Sequence, residues 1–286
     1  MVQTIGNPLS WGASVLSRAG SGVGANAQAL GSEGRAVPAV GRIGMDDIRA
    51  ALRQGVDDFA ALRTDVAAMC LLYPVAGLVL VWFAFNQQWV HLVFPLISGF
   101  ALIGPVVAVG LYEMSRRREA EGAANWGDAF RVLSNPSLGA ILVLGLMLVG
   151  TFLLWMVAAW SIKIATLGDA VPASAVDFLR QVLTTRAGWA MILIGIPVGF
   201  VFAAVVLAVS VVSFPMLIDR PVGLPVAVVT SVRVARRNPR TVAAWGLIVA
   251  VLLILGSIPF LLGLAITLPI LGHATWALYR RAVRFD

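Results

Sequence analysis

The chain has 286 residues, of which 59% are hydrophobic and only 12% charged, against about 25% charged in an ordinary soluble domain. With a mean hydropathy of +0.90, that much apolar surface cannot be hidden inside a water-soluble fold, which excludes a soluble enzyme. A single cysteine, Cys70, excludes a disulfide scaffold, and two histidines leave few options for metal chemistry.

The net charge of +7 comes from 21 basic and 14 acidic residues. In a membrane protein such a balance reflects basic cytoplasmic loops, so nucleic acid is not an expected partner. Residues 1–44 are rich in Gly, Ala and Ser. They lack the basic start and continuous apolar core of a signal peptide and are read as a disordered cytoplasmic tail. A binding segment around Trp11 is the alternative reading there. Residues 45–286 form the expected membrane domain.

An amphipathic helix is predicted over Met45–Thr64, because Ile48, Leu52, Phe59, Leu62 and Val66 recur on one helical face. Spans follow at 67–85 and 90–112, each long enough to cross a hydrocarbon layer of about 30 Å. A short amphipathic helix over Trp126–Leu133 precedes the third span, 138–160. The segment from Ser161 to Ala187 is external and carries a surface helix over Ala173–Thr184, a candidate contact for a periplasmic partner. The fourth span is 188–212. A third amphipathic helix, Leu224–Arg237, precedes a long apolar stretch broken near Gly256–Pro259. Splitting it gives spans at 241–256 and 258–279. These amphipathic helices are expected to dock on the bundle or lie among lipid headgroups.

Charge supports six spans. With both termini inside, 18 arginines fall on the cytoplasmic side and only Lys163, Arg180 and Arg186 outside. The expected fold class is therefore all-α, a polytopic bundle of six transmembrane helices as three hairpins, each preceded by a cytoplasmic amphipathic helix. The expected location is the bacterial inner membrane.

A repeat links the second and sixth spans. Pro95, Gly99, Pro105, Arg116 and Arg117 have the same spacings as Pro259, Gly263, Pro269, Arg280 and Arg281. Both spans run from outside to inside, so the repeat is parallel. The four prolines are candidate helix kinks, since each removes a helix hydrogen bond and a freed carbonyl in lipid must find a partner or face a cavity. Gly99 and Gly104 would allow close helix approach. Gly195 and Gly199 form a GxxxG packing motif. Asn135-Pro136 and Asn238-Pro239 are read as helix starts, with Asn as cap and Pro in the first turn.

The candidate functional polar residues are His273, Glu113, Thr275 and Ser98, which would line a pathway between the second and sixth spans. The structural reading sits beside this. Glu113 is three and four residues from Arg116 and Arg117, which suits helical ion pairs. His273 is expected to be neutral and hydrogen-bonded between helices, with Thr275 and Tyr279 as nearby candidates. His91 lies roughly 20 Å from it in depth at 1.5 Å per residue, so the two cannot share a metal or a haem. Arg116, Arg117, Arg237 and Arg280 are candidate contacts for anionic lipid headgroups. An edge bearing Trp82, Trp155 and Trp160 would face lipid or a partner. No phosphate loop, dinucleotide glycine pattern, metal motif or nucleophile elbow occurs, and no cofactor is expected.

Several of these segments occur together in a known family. They are Asp46-Asp47-Ile48 with Ala51-Leu52, Gly55 and Asp58-Phe59; Phe94-Pro95-Leu96 through Gly104-Pro105 to Gly110-Leu111-Tyr112-Glu113; Val212-Ser213-Phe214-Pro215 with Asp219-Arg220; and Leu271-Gly272-His273-Ala274-Thr275-Trp276 with Leu278-Tyr279-Arg280. On these the chain resembles, over about residues 44–284, a family of proteobacterial polytopic membrane proteins catalogued as domain of unknown function 2189. The resemblance implies an inner-membrane protein with six spans and implies no activity or catalytic residues. Some members carry the label of a cytochrome c oxidase subunit. An oxidase core needs several intramembrane histidines, and this chain offers one. The expected role is a non-catalytic accessory, assembly or scaffold component, with other membrane proteins and the lipid bilayer as partners. A small transporter or channel is the alternative, and a lipid-handling protein is the third reading.

Overall fold

The computed structural model describes residues 38–70, 75, 77–79, 82, 95–96, 105, 108–170, 172–259 and 261–285, with backbone alone for 63–70 and Trp126. Most of the first two expected spans, with Ser98, Gly99, Gly104 and His91, lies outside the described residues, as do Trp11 and the rest of 1–37.

The described elements are helical but for one short strand pair. Strand β1 (Ala39–Val40) leads into α1 (Met45–Cys70), which continues six residues beyond the expected Thr64. Helix α2 (Val109–Glu121) is followed by a 3₁₀ helix, Trp126–Ser134. Then come α3 (Leu138–Leu167), α4 (Ala175–Thr184), α5 (Arg186–Ser210), α6 (Ser213–Asp219) and α7 (Leu224–Arg237). Helices α8 (Pro239–Ser257) and α9 (Leu264–Ala282) precede β2 (Val283–Arg284), which pairs antiparallel with β1.

Among the described residues, three apolar stretches are long enough to cross a membrane: α3, α5 continued through α6, and α8. Their outward faces are apolar too. Leu146 on α3, Phe200 on α5 and Leu247 on α8 are all at least 65% exposed. Such surface is unfavourable in water by roughly 25 cal/mol per Å², and is what a helix facing lipid presents. Each span also has a packing side. Gly199 of α5 sits against the Trp155 indole of α3, where an added Cβ would come within 3.0 Å.

Helix α9 is the centre of the described structure. Its C-terminal half is almost wholly buried, from Leu271 to Tyr279. Small residues make this possible. A Cβ on Gly55 of α1 would lie 2.6 Å from the Ile270 carbonyl and 2.8 Å from Ala274 Cβ, so these helices touch backbone to backbone. Gly272 makes similar room for Leu111 of α2. The first amphipathic helix thus docks on the bundle, with Ile48 and Leu62 buried. Helix α6 is buried throughout Ser213–Ile218. Ser231 of α7 pins its start by donating to the Ala208 carbonyl (2.7 Å) and accepting from the Val212 N–H (3.2 Å).

Several sequence expectations change. The expected sixth span, 258–279, begins instead at Leu264, after a turn, so Pro259 ends a helix rather than kinking one. Leu261 in that turn has φ +65°, a left-handed conformation for a non-glycine residue. Pro269 does lie inside a helix, and so does Pro197, which the sequence reading passed over. Pro95 and Pro105 are helical residues. Of the GxxxG pair only Gly199 is a contact, since Gly195 faces open space. Trp155 is buried rather than at an edge and donates to the Pro95 carbonyl (3.1 Å), while Trp82 and Trp160 are exposed. Lys163 is buried and donates to the Ala170 carbonyl (2.9 Å), securing the turn after α3. The helix expected over Ala173–Thr184 forms over Ala175–Thr184, capped by Ser174, which accepts from the Asp177 N–H (3.1 Å).

Candidate functional site

Of the polar side chains singled out in the sequence, Glu113 and His273 lie where α2 packs against α1, α6 and α9. Helix α2 enters this region with a buried face, Leu111–Ser115, and leaves it with three consecutive arginines. Docking α2 on α9 therefore buries Glu113 and Ser115, and Arg116–Arg118 must find partners there.

Glu113 is 2% exposed and takes a bidentate pair of bonds from Arg116, both 2.7 Å, plus one from Arg117 at 3.3 Å. Charge-assisted forks of this kind are among the stronger hydrogen bonds. The Glu113 bonds also hold the Arg116 guanidinium above its ordinary pKa range. Arg117 also meets Glu121 (2.7 Å) and Asp128 (3.7 Å), linking α2 to the 3₁₀ helix. The expected ion pairs of Glu113 with Arg116 and Arg117 are present.

Beneath them runs a buried chain through three helices. Ser115 Oγ lies 2.6 Å from His273 Nδ1 and 3.3 Å from Asp58 Oδ2. Arg118 donates to Asp58 Oδ1 at 2.6 Å and to the Asp57 carbonyl at 3.0 Å. A hydroxyl has one proton to give. The direction that satisfies these contacts runs from His273 Nδ1–H to Ser115 and from Ser115 to Asp58. His273 is fully buried, and its Nε2 has no partner among the described residues. Burial raises the Asp58 pKa above its ordinary 3.8, and the Arg118 charge offsets that only in part.

A third cluster closes the outer edge. Glu119 of α2 accepts from Trp276 Nε1 (2.9 Å) and Arg280 (3.0 Å) of α9. Asp219 at the end of α6 accepts from Tyr279 (2.7 Å) and Arg280 (3.4 Å). Burial of part of its side chain lowers the Arg280 pKa less than Glu119 and Asp219 raise it.

The structure thus joins His273 to α2, but through Ser115, not through Thr275 or Tyr279. Thr275 donates to its own helix at the Leu271 carbonyl (2.7 Å). Ser98 lies outside the described residues. Arg116, Arg117 and Arg280 are held in ion pairs, which leaves Arg237 as the only one of the four lipid candidates in no ion pair among the described residues. The sequence reading missed Ser115 and Arg118 as partners. In the sequence Asp58 stands out only within a segment shared with the resembling family, and no local spacing reveals a contact between residues 158 apart. Among the described residues no group of His, Cys, Asp and Glu could hold a metal ion.

The membrane-length helices, with their apolar outward faces, define an integral membrane protein. Residues 93–219 match the family described as "Predicted integral membrane protein (DUF2189)". The match is narrower than the 44–284 over which the sequence resembles it. No curated protein and no solved structure matches the chain.

Proposed function

We propose that this is a non-catalytic scaffold, accessory or assembly component of a bacterial inner-membrane complex. The carrying observation is how its polar groups are used. Glu113, the acid nearest a span, is closed off by Arg116 and Arg117, and Asp58, Glu119 and Asp219 each bind a side chain from another helix. These groups hold elements together, as a rigid docking platform requires.

The proposed topology has six spans as three hairpins, with both termini cytoplasmic. Packing of Trp155 on Gly199 supports a hairpin of α3 with α5, and the approach of Gly256 to Gly263 supports one of α8 with α9. The arginine-rich layer then falls on the cytoplasmic side. In a Cys70→Ser background, Thr184→Cys should react with an impermeant maleimide in intact spheroplasts. Arg236→Cys should react only after lysis.

Purification in mild detergent tests the role, with co-purifying proteins identified and a visible spectrum recorded on the same sample. Reproducible stoichiometric partners are the expected result. A partner-free protein would sink the scaffold reading, and a Soret band in pure protein would overturn the absence of haem. One observation favours a second reading, a small transporter or channel between the second and sixth spans. The unpartnered His273 Nε2 is a polar atom such a pathway could use. Flux into proteoliposomes that is lost in His273→Asn but kept in Thr275→Val would establish it.

A further inference from the structure

The same layer contains arginines with no carboxylate. Arg42, Arg237 and Arg240 line one open cleft of about 340 Å³ at the junction of α7 and α8. Among the described residues, none of the three forms an ion pair, whereas Arg116, Arg117, Arg118 and Arg280 all do.

Arg42 is brought there by a strap that is pinned at each residue around it. Gly41 N–H donates to the Ala282 carbonyl (2.8 Å), and Asn238 Nδ2 donates to the Gly41 carbonyl (3.1 Å). Ile43 N–H donates to Asn238 Oδ1 (3.0 Å), and Thr241 Oγ1 donates to the Ile43 carbonyl (2.9 Å). Buried Asn238 therefore spends its side chain holding the strap instead of capping α8. All three are exposed, so an anion entering the cleft would meet three positive charges without displacing a carboxylate. Guanidinium forks match phosphate oxygens in geometry and charge, and the positive end of the α8 dipole points the same way. Arg240 is also the second residue of an apolar, membrane-length helix, which places the cleft at headgroup depth.

We propose that Arg42, Arg237 and Arg240 form a binding site for a phosphate group, carried by an anionic phospholipid headgroup or free in solution. The test is native mass spectrometry of the full-length protein in detergent, titrated with phosphatidylglycerol and, separately, with phosphatidylcholine. One variant carries Arg42→Gln, Arg237→Gln and Arg240→Gln. Its charge-matched control carries Arg53→Gln, Arg233→Gln and Arg236→Gln, also exposed but outside the cleft. The expected result is one tightly held phosphatidylglycerol, weakened about tenfold or more in the cleft variant alone, as loss of charge-assisted hydrogen bonds to one phosphate group implies. Equal loss in both variants, or in neither, overturns the site. Inorganic phosphate added as competitor separates the sources. Displacement at millimolar concentration assigns the site to soluble phosphate, and resistance assigns it to lipid. Unchanged thermal unfolding of both variants separates lost binding from lost fold.

Discussion

Asp58 is the residue whose surroundings make a pH prediction. Burial raises its pKa above 3.8 in the folded protein, and the Arg118 charge offsets this only in part. An acid so shifted contributes stability that is fully present below its unfolded value and is lost as pH rises through its folded value. The unfolding temperature of the protein, compared with that of Asp58→Asn, should therefore fall as pH rises from about 3.8. A rise instead would mean that Arg118 outweighs burial. Removing Arg118 as Ala leaves the carboxylate without its counter-charge, and a loss of about 3 kcal/mol is expected, read by chemical or thermal unfolding in detergent. The partnership of Glu113 was legible from its spacing to Arg116 and Arg117. That of His273 was not, because Ser115 reaches it only when α2 docks on α9.

At the scale of elements, glycines decide how closely helices approach. Gly55 faces the backbone of α9, which cannot yield as a side chain can. Gly55→Ala should separate α1 from α9 and destabilise by about 1–3 kcal/mol. Gly195→Ala, with nothing within 4 Å, should be near neutral. Comparing the two unfolding midpoints in detergent checks this, and equal effects would contradict the packing described. The apolar runs made α3, α5 and α8 readable, and Leu224–Arg237 forms with the bounds expected, whereas the buried helix Ser213–Asp219 had no such signal. Ends were less readable. Helix α1 continues into apolar sequence without a stop signal, and turns at Ile258–Pro259 and Leu261–Gly263 separate α8 from α9, where Pro259 and the left-handed Leu261 interrupt the helix. The motif Asn238-Pro239 looked like a cap, yet its Asn is claimed by a strap from the other end of the chain.

Across the whole molecule, that strap joins the two ends of the described chain. Ala39 and Val40 pair with Arg284 and Val283, and Asn238 and Thr241 hold residues 41–43. Asn238→Ala would leave the Ile43 N–H without its acceptor, a loss of about 1–3 kcal/mol for a buried group. Limited proteolysis should then cut near residues 38–44 faster than in the parent protein, and unchanged cleavage would show that the strand pair alone suffices. Composition and charge by themselves determined that this is a helical membrane protein with a basic, arginine-rich side, because transfer of apolar side chains out of water depends on residue type and not on neighbours. Only the tertiary structure decided which arginines are neutralised and which stand free. Beyond the local pairs of Glu113, ion pairing depends on distances set by docking α1, α2, α6 and α9, which spacing along the chain does not carry.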